Sequence, residues 1–122
     1  MSQILVVEDF RPFRQFVCSK LQKRADFQVA EASDGLEAVR KAQQLQPDLI
    51  LLDIGLPKLN GIEVARRLSD LLPRTRILFL SVESSSDVAR EALNSGAMGY
   101  IHKLNMQSEL LPAIEAALQG NQ

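Results

Sequence analysis

The chain is poor in several residue types, and each shortage removes a possibility. It has one cysteine, Cys18, so no disulfide can form within it, and no paired spacing suggests a zinc site. A lone thiol suits a reducing compartment. No apolar run approaches the ~18 residues that a membrane span requires. The opening MSQILVV lacks the basic segment and cleavage site of a secretory signal, so the expected location is the cytoplasm. Neither sign of charge is in excess. The formal net charge is -1, which gives no field for nucleic acid or an anionic membrane. The local basic cluster of Lys20, Lys23 and Arg24 reads as the solvated face and last turn of a helix. No glycine-rich phosphate loop follows the first apolar run, because Glu8 and Asp9 stand there; this argues against a nucleotide or flavin fold.

What remains is ordinary for one globular domain: 122 residues, 46% hydrophobic and 24% charged. A chain of this size buries roughly two-thirds of its unfolded surface, so it needs neither crosslink nor metal to fold. Short apolar runs alternate with longer segments of helical period. The runs are Ile4–Val7, Phe27–Ala30, Leu49–Leu52, Ile77–Leu80 and Met98–Ile101. Between them lie helical stripes: Phe13, Phe16, Val17 and Leu21; Leu36, Val39, Ala42 and Leu45; Ile62, Ala65, Leu68 and Leu72; Val88, Ala89, Ala92 and Leu93; Leu110, Leu111, Ile114, Ala117 and Leu118. Pro12 falls near the first helix start, where its missing N–H is harmless. Asp34 with Glu37 resembles a capping box, Pro47 stops the second helix, and Asn60-Gly61-Ile62-Glu63 opens the third. Ser84–Ser86 cap the fourth. The last is expected to start near Ser108, which puts Pro112 within or just after its first turn.

Five strands alternating with five helices imply a parallel (βα)5 sheet. Its central strands lack period-2 alternation because both faces are covered. Ligands of such sheets bind outside the carboxyl ends of the strands. Glu8 and Asp9 follow strand one, Asp53 ends strand three, Ser81 follows strand four and Lys103 follows strand five. Taken singly, each has a plain structural reading as a turn former, a cap or a solvated charge. If strands one, three, four and five are neighbours, they all converge on one edge. A carboxylate pair about 4 Å apart repels by on the order of 4 kcal/mol at an effective dielectric near about 20. A proton or a cation must offset that. The donors are hard oxygens with no imidazole or thiolate among them, which suits Mg²⁺ or Mn²⁺ together with phosphate oxygens. In such a site Asp53 is a potential carboxylate nucleophile, Lys103 neutralises charge on a transferred group, and Ser81 donates a hydrogen bond to it.

These segments resemble one family across nearly the whole chain. VVEDF is similar to the acidic-pair segment, LLDIGLPKLNGIEVARRL to the phosphorylation segment, and LSVESSSDVAREALNSGAMGYIHK to the switch segment of bacterial response-regulator receiver domains. DIGLP and GYIHK look most like receivers attached to LuxR-type helix-turn-helix transcription factors. The resemblance implies a flavodoxin-like, doubly wound five-stranded parallel sheet of order 2-1-3-4-5. It implies that Asp53 accepts a phosphoryl group from a sensor histidine kinase or a phosphotransfer protein. Asp9, Asp53 and the main-chain carbonyl of Gly55 would bind Mg²⁺, with Glu8 helping through water. Lys103 would pair with the phosphoryl group, Ser81 would hydrogen-bond it, and Tyr100 would swing inward as the helix 4–strand 5–helix 5 face rearranges. Gly55 and Glu83 would tune phosphoryl lifetime. The domain would work in two-component signal transduction, controlling an output such as transcription and dimerising on phosphorylation, without itself touching nucleic acid or membrane. Residues 1–120 would form the receiver, and 121–122 the terminus or the start of a linker to an output domain.

Two positions depart from the family pattern. Leu104 replaces the proline that often follows the lysine, so the Lys103–Leu104 bond is either trans with a reshaped loop or cis and strained. Val82 replaces a small residue and is expected to narrow access to Asp53. Without the resemblance, Tyr100 reads as a half-buried strand aromatic and His102 as solvent-facing. Other functions remain in view. An aspartate-nucleophile phosphatase would need a second acid two residues past Asp53, where Gly55 stands, so the chain is not expected to be an enzyme beyond its own phosphorylation and dephosphorylation. The alternative is a stand-alone or degenerate receiver, acting as a phosphorylation-independent docking or dimerisation module.

Overall fold

The computed structural model describes residues 1–82 and 85–120. Elements alternate from start to end: β1 (Ser2–Val7), α1 (Arg11–Gln22), β2 (Phe27–Ala32), α2 (Gly35–Leu45), β3 (Leu49–Asp53), α3 (Gly61–Leu71), β4 (Arg76–Ser81), α4 (Ser86–Asn94), β5 (Gly99–His102) and, after a 3₁₀ turn at Lys103–Asn105, α5 (Met106–Leu118). The sheet is wholly parallel in the order β2-β1-β3-β4-β5, as expected. β2 runs two residues past its expected end, and β5 is shifted one residue along the chain.

Two cores form because successive strand residues point to opposite faces. Ile4, Val6, Leu49, Leu51, Leu78 and Leu80 pack with Val17, Leu21, Leu110 and Ile114 from α1 and α5. Leu5, Val7, Ile50, Leu52, Ile77 and Phe79 pack with Ala38, Ala42, Val64, Leu68 and Ala92 from α2, α3 and α4. Every residue of β3 is buried, so an unbroken apolar run serves both faces at once. Cutting Leu51 to alanine would cost about 2–5 kcal/mol, a large share of a small domain's net stability.

Local signals set the helix ends. Pro12 sits in the first turn of α1. Asp34 Oδ1 accepts from the Glu37 N–H at 2.8 Å. The return bond from Glu37 reaches the Ser33 N–H at 2.6 Å rather than Asp34, so the expected box closes one residue early. Asn60 caps α3 through the Glu63 N–H at 3.0 Å, and Ser85 caps α4 through the Asp87 N–H at 3.2 Å. Gln46, left-handed at φ 46°, ends α2 before Pro47. Ser84 and Glu83 lie outside the described residues, as do residues 121–122.

Several side chains fall elsewhere than the helical stripes suggest. α2 buries Gly35, Ala38 and Ala42, leaving Leu36 and Leu45 exposed. A β-carbon on Gly35 would lie 1.9 Å from the Leu59 carbonyl oxygen, so the helix start is pressed against the loop after β3 and rolls onto its small residues. Phe16 and Leu93 are also exposed. α5 begins at Met106 rather than near Ser108, so Pro112 is its seventh residue. The 3₁₀ turn starts the helical path early. Pro112 and Ser108 both lie on the exposed side, where a carbonyl without its helical partner costs least.

Candidate functional site

At the carboxyl edge of the sheet, β1 and β3 are hydrogen-bonded neighbours, so their ends deliver Glu8, Asp9 and Asp53 to one place. One carboxylate oxygen from each lies within 4.8 Å of the others. Glu8 and Asp53 are buried, whereas Asp9 is exposed. β5 pairs with β4 beyond them and is followed directly by Lys103, whose Nζ donates to Glu8 Oε1 at 2.5 Å and lies 3.8 Å from Asp53 Oδ1. The Phe10 N–H donates to Glu8 Oε2 at 3.1 Å.

The electrostatics follow from burial. Loss of water pushes the carboxyls of both Glu8 and Asp53 above their ordinary values. Lys103 pulls each back down, and the Gly55 N–H does so for Asp53, while Asp9 and Asp53 add repulsion. Burial outweighs these downward pulls on both carboxyls. The donor set is all oxygen, two-thirds of it buried, with charge in excess of its counterions. That fits a hard divalent cation with several retained waters.

The other expected residues fall around this cluster. Ser81 is the buried last residue of β4 and pairs in register with His102. Gly55 is exposed in the turn after β3, and a β-carbon there would meet nothing within 4 Å. Tyr100 is half-buried against the core shared with α4. Glu83 is outside the described residues. Val82 is 68% exposed and Leu104 88%, so neither side chain is packed into the site. No cis peptide occurs among the described residues, so Lys103–Leu104 is trans. The loop is reshaped into the 3₁₀ turn, and His102, half-buried rather than solvent-facing, caps it by accepting the Leu104 N–H on Nδ1 at 3.1 Å.

Three residues of the site went unread as such in the sequence. Arg14 donates from Nη1 to the Glu8 carbonyl at 2.8 Å and from Nε to Glu31 at 2.9 Å, fixing the backbone of the acidic pair. Gly61 approaches β3 so closely that a β-carbon would lie 2.2 Å from the Asp53 carbonyl oxygen. Phe13 places its ring under the Lys103 ammonium, 4.4 Å from centroid to nitrogen. The available signals were weak: Arg14 and Phe13 lie one helical turn past the acidic pair, and Gly61 follows an N-cap.

This fold and this edge define a receiver-type signalling domain. The response regulator receiver domain family matches residues 4–115, and the chain belongs to that family. A putative transcriptional regulator of Pseudomonas aeruginosa is 39% identical over 120 residues, which is 98% of this chain and 58% of that protein. A LuxR-family two-component response regulator from an Aurantimonas species has a TM-score of 0.94 at 33% identity, over 100% of this chain and 88% of that one. A response regulator protein from Burkholderia pseudomallei, solved with a phosphorylated aspartic acid, a calcium ion and citrate, has a TM-score of 0.83 at 29% identity, over 97% of this chain and 66% of that one. The chain spans about half the length of the curated relatives it matches.

Proposed function

We propose that residues 1–120 form a phosphorylation-controlled receiver working in the cytoplasm, in which Asp53 accepts a phosphoryl group from a phosphohistidine of a sensor kinase or phosphotransfer protein. The observation that carries this reading is the three-carboxylate cluster with Lys103 at its edge. An Asp53 oxygen bonds to phosphorus as the bond from phosphorus to the donor nitrogen breaks, and that electron pair stays on the imidazole. Lys103 stands close enough to neutralise charge on the incoming oxygens, and Ser81 supplies a hydroxyl from the neighbouring strand end. Glu8, Asp9, Asp53 and the Gly55 carbonyl are the groups that would hold Mg²⁺. When bound, the ion offsets the carboxylate repulsion and the charge of the phosphoryl oxygens. Water attacking phosphorus in line, with Asp53 leaving as carboxylate, resets the domain. Gly55 and Glu83 would set how fast.

The readout we propose is the α4–β5–α5 face. α4 buries a single residue, Ala92, against five in α3, so moving it disturbs little packing. Tyr100 packs at that seam and would move inward with Ser81 as charge builds on Asp53. Control of transcription through a further domain is the output that the relatives suggest, and dimerisation on phosphorylation is proposed alongside it. Intact mass after incubation with a small phosphodonor and Mg²⁺ tests the reading. One phosphoryl group is expected on wild type, none after chelation of the metal and none on Asp53→Asn. An unlabelled wild type would leave the domain as a phosphorylation-independent docking module.

A further inference from the structure

Lys103 carries the only ammonium within reach of the buried carboxylates among the described residues, and a flexible four-carbon stem holds it poorly by itself. Two groups fix it. Glu8 Oε1 takes one N–H, and the Phe13 ring lies under the nitrogen at 4.4 Å. Phe13 is itself held: it packs against the core shared by α1 and α5, and its ring centroid lies 6.4 Å from that of Phe16 at a 36° tilt.

We propose that Phe13 is a positioning residue for Lys103. The face of its ring and the Glu8 carboxylate form a two-sided seat that aims the ammonium at the Asp53 carboxylate. A ring face attracts a cation without binding any one N–H, so it fixes position and leaves donors free. With one N–H on Glu8 and the ring accepting none in particular, the ammonium keeps donors in hand for Asp53 Oδ1, which lies 3.8 Å away. A second carboxylate in place of the ring would hold the ammonium by directed hydrogen bonds and add charge to an over-acidic site. An aliphatic residue would fill the space without holding the cation. The seat therefore keeps Lys103 close to Asp53 while letting it turn from Glu8 toward a group arriving there. This rests on the reading of Asp53 as phosphoacceptor.

The test varies the ring's electrostatics at nearly constant shape. 3,4,5-Trifluorophenylalanine placed at position 13 weakens the negative ring face; Phe13→Leu removes it; Phe13→Tyr retains it. Labelling of Asp53 by a small phosphodonor at saturating Mg²⁺ is followed in each, with Mg²⁺ affinity and thermal unfolding alongside. The expected result is a graded slowing, about threefold for the fluorinated ring and up to about tenfold for leucine, with tyrosine near wild type and Mg²⁺ affinity unchanged within about twofold. Rates that stay at the wild-type value in both the fluorinated and leucine forms overturn the proposal. So does a loss in leucine that tracks unfolding while the fluorinated form is unaffected. NMR of the Lys103 ε-methylene protons reads the seat without any phosphorylation. Ring-current upfield shifts are expected in wild type and lost in Phe13→Leu, and their absence in wild type overturns the seat. If wild type shows those shifts but takes no phosphoryl group, the phosphoacceptor reading fails while the seat stands as geometry.

Discussion

Lys103 pairs with Glu8, 95 residues earlier in the chain, and only approaches Asp53: Nζ is 2.5 Å from Glu8 Oε1 and 3.8 Å from Asp53 Oδ1. The nearest cation is thus spent on the carboxylate expected to touch metal indirectly, which leaves Asp53 the less neutralised of the two buried acids.

Lys103→Met keeps the stem and removes the charge, leaving Glu8 buried without a counterion. Breaking a fully buried pair costs about 3–5 kcal/mol. With the Lys103 side chain 17% exposed, a loss on the order of 2 kcal/mol at pH 7 is expected in urea unfolding without metal. Below the raised Glu8 value the carboxyl is protonated in both proteins, so the gap should narrow on acidification. A gap that stays constant from pH 7 to pH 4 would contradict the pairing.

Asp53→Asn should stabilise the metal-free domain. Burial raises the folded-state values of Asp53 and Glu8 above those of the unfolded chain. The folded state therefore binds more protons, and these two groups favour folding most below the unfolded value of about 4. Their contribution is lost as pH rises through the raised folded values. Asp34, Glu37 and Asp26 are shifted downward and act with the opposite sign, so the difference between variant and wild type is the useful quantity. That difference should be near zero at pH 4 and grow to roughly 1 kcal/mol in favour of the variant by pH 7. Equal melting curves at both pH values would refute it.

Mg²⁺ should reverse the same penalty. At tenfold excess over its dissociation constant, a ligand bound only by the folded state adds about 1.4 kcal/mol. Thermal unfolding of wild type is expected to rise with Mg²⁺ and return with chelator. Asp9→Asn, a change at an exposed position, should fold normally and show little of the rise. An equal Mg²⁺ response in Asp9→Asn would place the ion elsewhere.

The two glycines after β3 should behave oppositely. Gly61→Ala brings a methyl to 2.2 Å from the Asp53 carbonyl oxygen, where backbone must shift, so a loss of about 2 kcal/mol or more and a displaced Asp53 are expected. Gly55→Ala meets open space and should unfold within about 0.5 kcal/mol of wild type. Chemical denaturation of both variants decides this.

Arg14 was legible only as a helix residue, yet it holds the Glu8 carbonyl. His102 read as solvent-facing, yet it caps the turn that replaces the missing proline. The α2 stripe held at Ala42, but close approach at Gly35 turned the helix so that Ala38 is buried in place of Leu36 and Leu45. Strand and helix order, by contrast, could be read directly. An apolar run ending in Asp53, or in Glu8 and Asp9, places carboxylates at a strand's end by chain continuity alone, and that relation is local. The amino-acid sequence by itself determined the alternation of elements and which chemical groups end each strand. Only the tertiary structure decided which carboxylate Lys103 joins and which ring lies beneath it. Those pairings depend on the register of β1 beside β3, on β5 beyond β4 and on the rotation of α1 against the sheet, contacts between residues tens of positions apart that no local periodicity encodes.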